Sequence, residues 1–398
     1  MPIQRVHGRL RSLAAAVAVT LACSAGPAAA LPAQRTPAPA ATGSLQRHLG
    51  MLVSDGATAA LGQVREHGVA VWRGSAGTSS LVRPLPVRPD GSFRIGSVTK
   101  SFVATVVLQL AEEGRLRLDD PIGRYLPGVV RDADAVSVRQ ILNHTSGVYD
   151  YTEDPRVLED PADPAALERW LSTGRWRTWS PTALVAIADD PGHAPYFPPG
   201  TGWRYSNTDY FLAGLLIQKV TGRTYAEEVA RRILRPLRLT HTQVPGASVR
   251  LPGPHARAYL LRPRHKPMDI TEQNMSVAGP AGEMISTADD LTRFNAALLG
   301  GRLLGPAQQR ELTTAVDLGP DGGYGLGLER ARLSCTTVWG HGGGTYGSTT
   351  LSFGTPDGRR QLAVSFNPSG IFPTPSQNTT AHALLETAFC GGPDARSR

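Results

Sequence analysis

The chain has 398 residues, enough for one large domain or two with ample buried core. Its formal charge of +8 comes from positives scattered along the chain rather than gathered in a stripe, which argues against a nucleic-acid partner. No apolar run is long enough to span a bilayer as a transmembrane anchor, and the cysteines lack the close pairing of zinc ligands, so no metal is expected.

Residues 1–30 carry Arg5, Arg9 and Arg11, then an apolar run from Leu13 to Ala22, then the small residues Ala28 and Ala30. That is the pattern of a secretory signal cut after Ala30 and predicts an exported, extracellular protein. Lipidation at Cys23 is the alternative, though Thr20-Leu21-Ala22 makes an imperfect lipoprotein signal. Losing the three signal arginines takes the charge from +8 to +5. Residues 31–43 are rich in Pro and Ala without periodicity and read as a flexible leader, leaving 44–398 as the folded domain. Cys335 and Cys390 remain as an even pair in an oxidising compartment, which favours a disulfide between them.

Within that domain, Ala59 to Val82 alternates and is punctuated by Gly68, Gly74 and Gly77, as in one or two β-hairpins. Ser97 to Glu113 is apolar nearly all round, predicting a buried helix ended by Gly114. From about 116 to 281 the spacings of three and four in VRQILNHTSG, PAALERWLS, YFLAGLLIQKVTG and YAEEVARRILRPL predict helices joined by long connections. Thr287 can cap a further helix ahead of Asp289 and Asp290. Strand candidates then return at 324–330, 333–339, 347–353 and 361–366, with Asp357-Gly358 as a hairpin turn, and TTAHALLETAF closes the chain as a helix. Strands, a helical insertion, then strands again predict an α+β fold: an antiparallel sheet built from both chain ends and flanked by helices.

Only three of the 41 Lys and Arg residues are lysine, and one of them is Lys100 in RIGSVTKSF. A lysine can lose its proton near neutral pH and an arginine cannot, so Lys100 is a candidate base. Ser97 lies three residues earlier, on the same helical face, where hydroxyl and amine can meet. A lysine that snorkels to the surface is the bland alternative. In WRYSNTDYFLAGLLIQ, Tyr205 and Asn207 lie two apart on a non-helical turn ahead of an apolar helix; the alternative is a core tyrosine and a helix cap. In VWGHGGGTYGSTTLSF, His341 precedes three glycines beside a strand, which marks close approach of a ligand or a backbone, or else a flexible turn.

Together these three motifs resemble the β-lactamase and penicillin-binding-protein superfamily, and most of all its serine D-alanyl-D-alanine carboxypeptidase branch, which includes class C β-lactamases and related esterases. The likeness runs over roughly 45–392, through FRIGSVTKSF, VRQILNHTSGVYDYT, YSNTDYFLAG, AGEMIST, YGLGL, ARLSC, GHGGG and LLETAFCGGP. The resemblance implies that Ser97 is the nucleophile, Lys100 takes or relays its proton, and Tyr205 is a second proton shuttle. It further implies that Asn207 and His341 bind substrate, that Gly343, Gly344 and Thr345 flank an extended substrate, and that the Gly344 amide joins that of Ser97 in an oxyanion hole. No cofactor is implied. The implied partners are peptidoglycan stem peptides or small esters and amides, with β-lactams as acylating ligands.

Two departures bear on the substrate. Where carboxypeptidase relatives carry two threonines and an arginine that grip a terminal carboxylate, this chain has Gly342, Gly344 and Glu329. Thr345, Arg330 or Arg332 could substitute, but strand alternation places both arginines opposite Glu329. D-Ala-D-Ala carboxypeptidase activity is the leading expectation. An esterase, amidase or weak β-lactamase of the same fold is the alternative, and a penicillin-binding sensor without turnover is the third reading.

Overall fold

The computed structural model describes residues 39–391 apart from 159, 161, 263, 264 and 321. The expected signal, Cys23 and residues 31–38 of the expected leader lie outside the described residues. Helix α1 (Pro39–Ser54) begins inside the stretch whose composition reads as leader.

Eight strands form one antiparallel sheet: β1 (Ala59–Glu66), β2 (Val69–Gly77), β3 (Val316–Asp317), β4 (Gly322–Tyr324), β5 (Glu329–Arg332), β6 (Thr337–Thr345), β7 (Ser348–Gly354) and β8 (Arg360–Asn367). Their spatial order is β2-β1-β8-β7-β6-β5-β4-β3, so the first and last parts of the chain meet where Gly62 lies opposite Val364. The expected α+β fold, with a sheet shared by both chain ends, is what the structure shows.

Side chains alternate across the sheet with period two, and both faces are covered. On β8, Leu362, Val364 and Phe366 join a core with Leu45, Leu49 and Leu52 of α1 and Leu384 and Leu385 of the closing helix, α6 (Pro375–Cys390). Ala363, between them, faces the other core. That larger core contains α2 (Thr99–Glu112) and α5 (Ala288–Leu299), where Phe102 stacks on Phe294 at 3.6 Å between ring centroids. Every residue from Thr99 to Leu108 is buried, which is why α2 carries no polar face. The inserted region supplies α3 (Val138–Asn143), capped by a Ser137–Gln140 box, and α4 (Asn207–Thr221).

Three expected boundaries differ from those observed. Residues 324–330 do not form one strand: β4 ends at Tyr324, β5 starts at Glu329, and the intervening loop dips into the core, burying Leu326 and Leu328. Gly327 enables the dip, with φ of 77° and no room for a Cβ, which would lie 2.5 Å from that of Ala104. Residues 333–339 are likewise split, because Leu333 N–H bonds back to the Thr336 carbonyl and β6 starts only at Thr337. Ser97 sits in a 3₁₀ turn (Gly96–Val98) that leads into α2 rather than in the α-helix itself.

Cys335 and Cys390 form a disulfide that ties the turn before β6 to the end of α6 across 55 residues. In the chain-entropy model a loop of that size is worth about 4 kcal/mol. Cys335→Ala/Cys390→Ala is expected to lower the unfolding free energy by about 2–4 kcal/mol in urea titration. A loss below about 1 kcal/mol would mean that packing of α1 and α6 already tethers these ends without the bond.

Candidate active site

Gly96 and Gly343 bring the site together because neither position has space for a side chain. A Cβ on Gly96, where φ is 52°, would fall 2.6 Å from the Gly344 nitrogen; one on Gly343 would fall 2.0 Å from the Ile95 carbonyl oxygen and 3.1 Å from the Ser97 nitrogen. The start of α2 therefore presses directly on β6, and the backbone amides of Ser97 and Gly344 are brought close together. A Cβ at Gly344 would meet open space, so the strand is crowded at one glycine and free at the next. Only Thr337–Gly340 of β6 pairs with β5, so residues 341–345 have a strand partner on the β7 side alone, and the Gly342 amide on the other side is taken by Glu329.

Lys100 is fully buried and its Nζ has three neighbours: Ser97 Oγ at 3.1 Å, Asn207 Oδ1 at 2.9 Å and the Ala281 carbonyl oxygen at 2.7 Å. Burial pushes its pKa down to about 7, against the pull of Asp150 and Glu329. The neighbours suit the neutral amine. Its two N–H groups satisfy the two oxygens that can only accept, and its lone pair is left for the one partner with a proton to give, the Ser97 hydroxyl. Asn207 is held in the required orientation because its Nδ2 donates to Asp150 Oδ2 at 2.9 Å. The Tyr205 hydroxyl is hydrogen-bonded to Ser97, and burial raises its pKa well above the ordinary value, so it keeps its proton.

These residues border a cavity of about 760 Å3 lined by Ser97, Tyr205, Asn207, Gly344 and Thr345, with aromatic walls from Tyr151, Trp170, Tyr346 and Phe372. The buried Thr345 Oγ1 has no partner among the described residues. The lining includes Glu153 and Asp160 and, among the described residues, no lysine, arginine or histidine. Glu153 is shared with Arg204, at 2.9 Å and half exposed.

Two residues expected at the substrate lie elsewhere. Gly343 packs against the backbone of 95–97, and His341, 1% exposed, is absent from the cavity wall. The His341 ring instead belongs to a buried chain that sequence reading did not find. Asp209 Oδ2 meets His144 Nδ1 at 2.9 Å, His144 Nε2 meets Tyr324 Oη at 3.2 Å, Tyr324 Oη meets His341 Nε2 at 2.8 Å, and His341 Nδ1 donates to the Gly342 carbonyl oxygen at 2.5 Å, with Glu329 Oε1 facing it at 3.2 Å. Glu329, which stands where carboxypeptidase relatives have an arginine, is thus the partner of His341 and also accepts from the Gly342 amide. Asp150 and His144 lie in VRQILNHTSGVYDYT and Asp209 in YSNTDYFLAG. An aspartate opening a fully apolar helix is itself the signal of a buried polar contact.

The chain needs four hydrogens for its four links. Neutral His144, Tyr324 and His341 supply three when both carboxylates are ionised. Burial raises the pKa of Asp209 and lowers that of His144, both well away from their usual values, so the fourth hydrogen belongs on Asp209. His144 Nδ1 is then an acceptor, in agreement with the Ser206 amide that donates to it at 3.4 Å. Asp209→Asn, which keeps a donor toward His144 and an acceptor for Ser146, should change unfolding free energy by less than about 1 kcal/mol, whereas Asp209→Ala should cost about 2–3 kcal/mol. Equal losses in chemical denaturation would put the hydrogen on His144 instead.

The chain can be compared with known proteins on this footing. Residues 54–386 match the Beta-lactamase family model. Among solved structures, a D-stereospecific amidohydrolase from a Streptomyces species is 43% identical with a TM-score of 0.78, covering 88% of this chain and 99% of its own. A D-amino acid amidase from Ochrobactrum anthropi SV3 is 27% identical with a TM-score of 0.75, covering 90% and 99%. Penicillin-binding protein 4* of Bacillus subtilis (strain 168) is 27% identical over 76% of this chain, which spans 66% of that protein's length; for penicillin-binding protein 4 of Amycolatopsis lactamdurans the span is about half, 51%. The match over most of the folded domain, together with the Ser97–Lys100–Tyr205 cluster, places this chain in the beta-lactamase family of serine hydrolases.

Proposed function

We propose that the protein is an exported serine amidase that works through an acyl-enzyme on small amides whose acyl part is uncharged or carries a free amine. The observation that carries this reading is the cavity lining, which among the described residues has Glu153 and Asp160 and no cationic residue, Arg204 being bound to Glu153. A carboxypeptidase must hold a terminal carboxylate, and Lys100, beside Ser97, is already committed to Ser97, Asn207 and Ala281. D-Ala-D-Ala carboxypeptidase action is therefore the weaker reading. The relatives named for D-stereospecific amide hydrolysis support the stronger one. Export is supported by the signal-like N-terminus and the disulfide. Among the described residues no helix is long and apolar enough to cross a membrane.

In this reading the Lys100 amine takes the Ser97 proton as Ser97 Oγ attacks the substrate carbonyl. The amides of Ser97 and Gly344 meet the oxyanion; one such donor is typically worth about 10²–10³ in rate. Tyr205, still carrying its proton, gives it to the departing nitrogen, and the Lys100 ammonium passes the proton it took from Ser97 on to the Tyr205 oxygen. The C–N bond breaks, leaving the acyl group on Ser97, and water attacks the ester by the same route in reverse. β-Lactams would acylate Ser97 in the same way. Thr345, whose hydroxyl has no partner among the described residues, would hold the substrate alongside β6.

The amidase reading predicts that kcat/KM for D-phenylalanine amide, read as ammonia release, exceeds that for D-alanine release from a Lys-D-Ala-D-Ala peptide by at least about tenfold. The opposite order would favour the carboxypeptidase. Because the lowered Lys100 pKa makes the amine a base only once deprotonated, kcat/KM should rise about tenfold per pH unit below about pH 7 and level off above it. Lys100→Met removes the base without burying a new charge and should lower acylation by a fluorescent penicillin by at least about 10²-fold. Near-normal labelling of a folded variant would remove Lys100 from its assigned role.

A further inference from the structure

Arg94, three residues before Ser97, is only 2% exposed and yet has no carboxylate partner among the described residues. Its Nη2 donates to three carbonyl oxygens, of Val249 at 2.8 Å, Gln273 at 3.1 Å and Thr271 at 3.3 Å. Its Nε and Nη1, with three hydrogens between them, have no partner among the described residues. Loss of the proton does not solve this, since burial lowers its pKa only to about 10 and the group stays cationic at neutral pH. An unpaired buried charge with unmade hydrogen bonds is among the most expensive arrangements a fold can hold.

Arg94 borders a cavity of about 20 Å3 lined by parts of β1 and β8, the turn that opens β7, and residues between Leu251 and Gln273. Its polar lining comes from Ser92, Thr271, Gln273, Ser348, Ser365 and Asn367, and no acidic residue lines it. That volume is on the scale of one water molecule or one monatomic ion. Water would satisfy hydrogen bonds but leave the charge uncompensated, whereas a monatomic anion does both.

We propose that this cavity is a halide site in which a chloride ion is the counter-ion of the Arg94 guanidinium. The site is coupled to the serine-bearing turn through the backbone: the Arg94 carbonyl accepts from the hydroxyls of Ser348 and Thr350, and the next amide, of Ile95, donates to Met284. Chloride thus fixes the segment that presses Ser97 against β6.

The test compares thermal unfolding of the whole protein in sodium chloride, sodium bromide and sodium gluconate at equal ionic strength. A ligand that binds only the folded state raises the midpoint in proportion to the logarithm of its concentration once above Kd. The two halides should therefore raise the midpoint over gluconate in a concentration-dependent way, and Arg94→Met should lose that response. Should Arg94→Met not fold, crystals of the wild-type protein soaked in bromide decide the matter, with an anomalous peak expected in the cavity beside Arg94. Midpoints that do not distinguish halide from gluconate, or a cavity holding only water in the bromide soak, would overturn the proposal.

Discussion

The burial of one lysine beside one serine constrains most of the architecture. A fully enclosed amine near neutrality needs oxygens on two sides and a hydroxyl on the third, and these come from distant parts of the chain: Asn207 opens α4, and Ala281 precedes the strand segment that pairs with Phe93–Arg94. Supporting one proton transfer therefore fixes the relative positions of α2, α4 and the loop before α5. Asp150 holds the amide of Asn207 and, through its own burial, carries a carboxyl shifted upward from its ordinary value. The arrangement is preorganised in that none of these groups has to move when the proton leaves Ser97.

Beneath it, the Asp209–His144–Tyr324–His341–Glu329 chain joins the end of α3, the start of α4 and strands β4, β5 and β6. His144 has φ of 63°, a left-handed conformation usually left to glycine at a helix end. Its ring also lies 4.4 Å from that of Tyr205, centroid to centroid. Residues that carry chemistry and residues that carry shape are in contact here, so an alteration to the lower layer reaches Tyr205 without touching the cavity.

The fold and the upper layer were legible in the sequence for a physical reason. Hydrophobic periodicity records burial, and a lone lysine opening an apolar helix records an exception to it. The strand at 361–366 and the all-round apolarity of α2 were visible in this way. What escaped was contact between remote polar groups. Nothing local in Glu329 announces that it faces a histidine across two strands, so its place was read as a lost carboxylate grip rather than as a partner for His341. The break at Gly325–Leu328 escaped for a similar reason, since alternation continues through those residues while the backbone turns inward to let Gly327 slip beneath α2. His341 itself was placed at the substrate because motifs give the order of residues along a strand and not which of them the neighbouring layer covers.

The pairing of β1 with β8 has a consequence for how the molecule comes into being. β1 is synthesised long before its inner neighbour β8, with the helical insertion and the other six strands of the sheet between them, so the central sheet stays open until β8 has been made. Until then β1 has only β2 beside it, and a lone two-stranded ribbon is barely stable in water. A nascent molecule of this kind commits to its final form only once β8 can close the sheet.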